Sequence, residues 1–306
     1  MLPLSSFAYE APDTLADALQ LLADADTKIL AGGTDLIPSM KHRLFQPKTL
    51  VSLRRIEGLR GIRAEDNGLS IGASTTLLQL RSDPLIRQHA PALADASATV
   101  ATRTIQSVAT LGGNLALDTR CAYYNQPEGW RRSIDGCLKC EGTVCHVART
   151  GDGCYASHSA DTVPVLMLMG ARVEILGVSG RRVVDLEDLY DGKDGRRWLR
   201  LEHGEIISRV LVPSTPSGVV HHKIRLRGAI DYGALLVAVR RSGSGAHAVL
   251  SALGPAPIRV HVDDASDLEE AAFRTARPLN THVVDTGWRK HMVRVAIRRA
   301  LAEASS

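Results

Sequence analysis

Aromatic residues make up only 4% of this 306-residue chain, too few to furnish the stacking platform on which single-stranded nucleic acids are held. No stretch approaches the roughly 20 apolar residues of a membrane-spanning helix, and the longest apolar run covers residues 163–171. The opening MLPLSSFAYE lacks the basic patch and apolar core of a secretory signal, so a cytoplasmic location is expected. Neither G-x-G-x-x-G nor G-x-x-x-x-G-K-[ST] occurs, which argues against a Rossmann or P-loop nucleotide site. Neither sign of charge dominates: 37 basic residues face 33 acidic ones, for a net +4. The largest cationic run, Arg289, Lys290, Arg294, Arg298 and Arg299, falls on one helix-forming segment, and no nucleic-acid partner is expected. Outside one window of 34 residues, the remaining 272 contain no cysteine.

Hydrophobic spacing organises the rest. Asp13 and Thr14 precede Leu15, Ala18, Leu19 and Leu22 and predict a capped helix. A strand is expected over 28–31, a helix over 35–44, strands over 49–53 and 69–73, and mostly helix over 83–101, where Pro84 and Pro91 suit helix starts. Residues 162–170 read as a buried helix, and 171–176 and 205–212 as strands. The stretch 214–218 has the composition of a linker. Beyond it, strands are expected over 219–226, 234–241 and 246–253, with helices near 264–276 and 287–303, the last showing one apolar face through Val293, Ala296, Ile297, Ala300 and Leu301.

The five cysteines, Cys121, Cys137, Cys140, Cys145 and Cys154, fall within 34 consecutive residues. That segment is rich in glycine and poor in hydrophobic periodicity, so it is a long loop in need of a staple. Two metals compete for it. A zinc ribbon wants two Cys-x-x-Cys knuckles, and only Cys137 and Cys140 have that spacing, although His146 or His158 could complete a site. An iron-sulfur cubane needs four thiolates and tolerates irregular spacing. Arg131, Arg132, Lys139 and Arg149 lie among the cysteines, as suits an anionic cluster and equally a solvated surface. Five thiols for four places leave one bystander.

Gly32-Gly33 and Gly112-Gly113 are the only glycine pairs in the chain. Successive glycines let backbone N–H groups converge on an anion such as a pyrophosphate, and each pair alone also reads as a tight turn.

The order AGGTDL at 31–36, IGASTTL at 71–77, TLGGNL at 110–115 and DTVPVLMLMGA at 161–171 resembles the FAD-binding subunits of the xanthine dehydrogenase and carbon monoxide dehydrogenase family over nearly the whole chain. The resemblance implies an α+β fold: a two-part FAD-binding domain of the vanillyl-alcohol-oxidase (PCMH) type over 1–213, divided at residue 55, and a small α+β C-terminal domain over 214–306. It implies a first pyrophosphate loop at Ala31, Gly32, Gly33, Thr34 and Asp35 and a second at Thr110, Gly112, Gly113 and Asn114. Thr76 and Asp161 are further implied cofactor positions. Lys223-x-x-x-Arg227-x-x-x-Asp231 is similar to the family's strand beside the isoalloxazine, with Lys223 near flavin N1 and O2.

The segment at about 119–157 is an insertion relative to most of that family. LDTRCAYYNQ, CLKCEGTVCHV and GDGCYA resemble the cluster loop of 4-hydroxybenzoyl-CoA reductase β subunits, which implies a [4Fe-4S] cluster on Cys121, Cys137, Cys145 and Cys154, with Cys140 the bystander. The implied role is electron transfer without substrate chemistry. Electrons would pass from ferredoxin through the cluster to FAD, then through two [2Fe-2S] centres on a small subunit to molybdenum on a large molybdopterin-bearing subunit. The loop's four cations are expected to face an acidic ferredoxin. Two alternatives stand beside this: a subunit of a dehydrogenase oxidising another aromatic or heterocyclic substrate, and a zinc-stapled scaffold in which both glycine pairs are merely turns.

Overall fold

Thr14 accepts a hydrogen bond from the Asp17 amide at 3.1 Å and opens a helix over Leu15–Leu21. Its Ala18 turns onto a small core with Leu22, Val51, Leu53 and Ile56. The computed structural model describes residues 2–214, 218–228 and 230–304. Strands β1 (Ala8–Glu10), β2 (Thr27–Leu30) and β3 (Thr49–Ser52) form a parallel sheet in the order β1-β3-β2. Parallel pairing requires crossovers, and Leu15–Leu21 and Leu36–Lys41 supply them.

Strands β4 (Ile62–Glu65), β5 (Gly68–Gly72), β6 (Arg172–Gly177), β7 (Gly180–Asp185) and β8 (Ile206–Pro213) make an antiparallel sheet in the order β4-β5-β8-β6-β7. Helices Leu77–Ser82, Pro84–His89 and Pro91–Thr99 lie in the same unit. Both prolines occupy first-turn positions, where the missing amide costs nothing. Strands β9 (Val220–Ile224), β10 (Leu235–Ser242), β11 (Gly245–Ser251) and β12 (Ile258–Val262) form a third, antiparallel sheet. Helices Leu268–Thr275 and Thr286–Glu303 cover it around Val237, Leu250 and Ile297.

The helix Val163–Leu168 is buried along its whole length. It joins the second unit's core to the third's, packing in one cluster with Val173 and Val210 on one side and Ala238 and Val249 on the other. The expected α+β architecture is therefore present. The expected linker at 214–218 falls largely on residues 215–217, outside the described residues.

Four strands escape the sequence pattern: β1, β4, β7 and β12. All four are sheet edges, and β1, β4 and β7 are largely exposed. Edge strands are often short and charged: β1 and β4 have three and four residues and β7 two adjacent arginines, whereas β12 does alternate, Ile258, Val260 and Val262 against Arg259 and His261. The C-terminal cationic run is also not a free surface. Arg289 is fully buried and donates to the carbonyl oxygens of Ala234, Leu279 and Ala252, while Arg294 and Arg298 pair with Glu270 and Glu269. Among the described residues no helix is long and apolar enough to cross a membrane.

Candidate functional site

A cavity of about 800 Å³ opens where the three units meet, and Ala31, Gly32, Gly33, Thr34, Asp35, Thr110, Gly112, Gly113, Asn114, Asp161 and Lys223 all line it. Thr76 does not. It caps the helix Leu77–Ser82 through a reciprocal pair with Gln79 and forms an isolated backbone bridge with Thr110, itself a helix cap, so it supports the wall from behind.

The two glycine pairs are shaped differently. Gly33 has φ +70°, a left-handed backbone that favours glycine. The chain then enters the short helix Leu36–Lys41. Among the described residues no acceptor meets the N–H groups of Gly32, Gly33, Thr34 or Asp35. The second pair instead forms the one-turn helix Leu111–Leu115. There Gly112 N–H donates to Ala73 O at 2.8 Å, Gly113 N–H to Thr110 Oγ1 at 3.1 Å and Asn114 N–H to Thr110 O at 2.9 Å. An anion can therefore be met by free amides at the first loop, whereas those of the second are already committed.

The reason for glycine differs too. A Cβ on Gly112 would stand 2.8 Å from the Ala73 side chain, and one on Gly32 would stand 2.1 Å from Val108 O. Gly112 is small because of a neighbouring strand end, not a phosphate, and the first loop packs directly on the segment leading into the second.

At another wall, Lys223 Nζ and Asp161 Oδ1 are 2.8 Å apart, with side chains only 4% and 6% exposed. Lys223 also donates to Thr99 O at 3.1 Å. Burial pushes the Asp161 carboxyl above the usual range while the lysine pulls it back. The pair ties β9 to the second unit. Arg227 points outward and pairs with Asp231, a cavity residue. Asp35 pairs with Arg120, whose guanidinium lies 4.5 Å above the Tyr232 ring.

Arg120 opens the cysteine loop. Its amide and carbonyl exchange hydrogen bonds of 2.7 Å with Ser157 and close the loop's base. All five cysteines are buried and none is in a disulfide. Cys121, Cys137, Cys140 and Cys154 pack in one cluster with Tyr124 and Ala156. Burial pushes the Cys121 thiol up, with nearby Cys137 and Cys145 adding to it. Cys154 is pushed up to about 11, again by burial, with Cys145 and Cys121 among its neighbours. Cys140 is also raised by burial, and its thiol faces the Arg131 guanidinium. The Tyr124 amide donates to the Cys121 carbonyl at 3.1 Å, and the amide of Ala156 reaches Cys154 Sγ at 3.5 Å. Buried thiols, one of them already accepting an amide hydrogen bond, fit the ligand chemistry of an iron-sulfur cluster, whose sulfurs accept such bonds.

Zinc fits less well. Among the described residues no three His, Cys, Asp or Glu side chains converge as a single ion would need. His146 is held by Gly136 O at 2.7 Å and stacks on Tyr123, and His158 is buried against Ser251, Tyr190 and Trp198.

The expected cationic docking face is corrected by half. Arg131 is 1% exposed and donates to His42 O and Arg43 O, clamping the loop to the first unit. Lys139 turns inward, its Nζ 2.5 Å from Asp118 Oδ1. Only Arg132 and Arg149 remain at the surface. Asp118 also accepts from Tyr124 Oη at 3.0 Å and Trp198 Nε1 at 3.1 Å. Asp118, Tyr124, Lys139 and Trp198 all line the cavity. The sequence pattern does not single them out as cofactor residues; the one hint is a lysine placed between two cysteines.

A family profile described as the FAD binding domain in molybdopterin dehydrogenase matches residues 5–215. The carbon monoxide dehydrogenase medium chain of Afipia carboxidovorans is 31% identical over 258 residues, covering 83% of this chain and 75% of that one. A xanthine dehydrogenase FAD-binding subunit of Escherichia coli is 27% identical over 319 residues, covering 97% and 95%. Among solved structures, reconstituted CO dehydrogenase from Oligotropha carboxidovorans superposes with a TM-score of 0.77 at 27% identity, over 99% of both chains. These matches favour a FAD-binding oxidoreductase subunit over the scaffold alternative. The chain belongs to the family of FAD-binding oxidoreductase subunits of the molybdenum hydroxylases.

Proposed function

We propose that this chain carries both FAD and a [4Fe-4S] cluster and moves electrons between them within a heteromeric molybdenum enzyme similar to 4-hydroxybenzoyl-CoA reductase. The observation that carries this is the loop of five buried, unpaired thiols sharing Tyr124 with the cavity of a FAD-binding domain. Cys121, Cys137, Cys145 and Cys154 are the proposed ligands. Their mutual proximity supports this, as does the engagement of Cys140 with Arg131. Bound FAD supplies two-electron chemistry and the cluster one-electron storage. Around them, the free amides of Gly32 to Asp35 hold the diphosphate, and Lys223 sets positive charge at the flavin ring, favouring the anionic reduced form. Gly112, Gly113 and Asn114 brace that loop, and the hydrophobic surround of the thiols keeps water from the cluster.

The division at 213/214 is part of this proposal, as are a large molybdopterin-bearing subunit, a small subunit with two [2Fe-2S] centres, a ferredoxin-like donor and a cytoplasmic setting. Substrate chemistry, removal of a ring hydroxyl from an aromatic acyl-CoA, belongs to the large subunit. The test is the purified chain's content of flavin, iron and acid-labile sulfide, with its low-temperature EPR spectrum after dithionite reduction. About four irons per flavin and a reduced-cubane signal are expected. Flavin without iron would leave the FAD subunit standing and remove the cluster.

A further inference from the structure

Lys139 sits at the tip of a turn closed by two backbone hydrogen bonds, Cys137 N–H to Cys140 O at 2.9 Å and Cys140 N–H to Cys137 O at 2.8 Å. Its side chain is 8% exposed and reaches the wall of the flavin cavity. There Nζ lies 2.5 Å from both Asp118 Oδ1 and Thr119 Oγ1, and 4.6 Å above the centre of the Tyr124 ring. Lys28 on β2 reaches the same cavity. Burial pulls the Lys28 pKa down, Asp118 raises it, and the charge of Lys139 lowers it again. Lys139 is paired with Asp118, and Lys28 lines the same cavity with no ion-pair partner of its own among the described residues, so two ammonium groups stand against one carboxylate in a sheltered place where Coulomb interactions are strong. FAD, a dianion at its diphosphate, is the complementary ligand.

The loop that delivers Lys139 has no long helix or strand of its own. Its only helix is Glu128–Arg132, and its five buried thiols are the ligands available to the proposed staple. Without that staple, ordering the loop opposes flavin binding, because a site that is only fractionally formed binds more weakly by that fraction.

We propose that Lys139 is a FAD-binding residue supplied by the cysteine loop, forming with Lys28 a cationic wall for the phosphate-bearing part of the cofactor, and that the cluster-stapled loop is a precondition of tight flavin binding. The second half rests on the cluster proposed above; the first does not. Linkage makes the effect reciprocal: bound FAD also raises the retention of iron against a chelator.

The test uses the full chain, freed of flavin and titrated with FAD by fluorescence quenching, with iron counted in every sample. Lys139→Gln is expected to keep its iron and bind FAD about tenfold more weakly, with a flatter dependence on salt than wild type. Lys139→Arg is expected to recover most of the loss. Wild type stripped of iron is expected to lose at least as much affinity as Lys139→Gln. Unchanged affinity in an iron-replete Lys139→Gln overturns the assignment of Lys139. If that variant loses iron, Lys28→Gln decides, since its backbone lies outside the loop: weaker binding supports the cationic wall and unchanged binding overturns it. Equal affinity with and without iron overturns the coupling. A wild-type chain that never takes up iron overturns the cluster and the coupling together, and the Lys139→Gln titration then judges the binding residue on its own.

Discussion

Lys223→Met is expected to cost stability even before flavin is added. The substitution keeps the stem's bulk and removes the charge 2.8 Å from Asp161, leaving a sealed carboxylate whose remaining side-chain donor is the Thr99 hydroxyl at 3.3 Å. Breaking a buried pair from one side costs about 3–5 kcal/mol, which in a protein of this size lowers the unfolding midpoint by roughly 10 °C. Protonation offers the stranded carboxylate a way out. Burial already raises it in the native protein, and loss of the lysine raises it further. A carboxyl whose folded pKa exceeds its unfolded value binds more protons when folded, so stability falls as pH rises from about 4 through the folded pKa. The deficit of the variant relative to wild type is therefore larger at pH 8 than at pH 5. Adding Asp161→Asn should recover at least half of it and abolish the trend. The assay is urea unfolding of the flavin-free chain, followed by tryptophan fluorescence at pH 5, 6.5 and 8. A deficit below about 1 kcal/mol at pH 8, at the level of an exposed pair, or one that does not change with pH, would refute the buried-pair argument.

Single Cys→Ser substitutions at 121, 137, 145 and 154 are each expected to lower iron content by more than half, while Cys140→Ser retains it, as measured by iron and sulfide assay. Gly32→Ala, whose Cβ meets Val108 O at 2.1 Å, should lose FAD and roughly 1–3 kcal/mol of stability. Gly129→Ala, with nothing within 4 Å, should match wild type in flavin content and melting temperature. His158 is fully buried, and desolvation lowers its pKa to about 3. A base depressed below its unfolded value of ~6.5 stays neutral in the fold while the unfolded chain takes a proton, so its contribution is intact above pH 6.5 and lost as pH falls. That loss amounts to about 2 kcal/mol by pH 5, and His158→Gln should show a smaller drop in melting temperature between pH 7 and 5.

Local features were legible where local chemistry decides them. The Thr14 cap, the two helix-starting prolines and the apolar face ending at Leu301 need only their neighbours in sequence. Strands β5, β6, β8, β10 and β11 are buried enough to show in their composition, whereas the exposed edges β1, β4 and β7 are not. The glycine pairs announced close approach, but what approaches Gly112 is Ala73, a partner that spacing cannot name. Charged residues were misread wherever burial had inverted them. Arg131, Lys139 and Arg289 look like surface cations until their carbonyl and carboxylate partners, lying up to 89 positions away, are in place. The pairing of Lys223 with Asp161 was invisible for the same reason, although each residue was singled out separately.

The base of the cysteine loop has a consequence for how such a chain is put together. Arg120 and Ser157 exchange both backbone hydrogen bonds, the arrangement of a directly opposed antiparallel pair whose Cα atoms lie about 5.5 Å apart. A two-residue hairpin turn could join them as well as the whole loop does. The entire cysteine loop is thus a cassette with adjoining ends, able to enter or leave the gene in one event without rerouting a strand or helix around it. Such an event would not leave the flavin domain untouched, because excision would take Tyr124 and Lys139 out of the cavity wall and leave Asp118 and Trp198 facing open space.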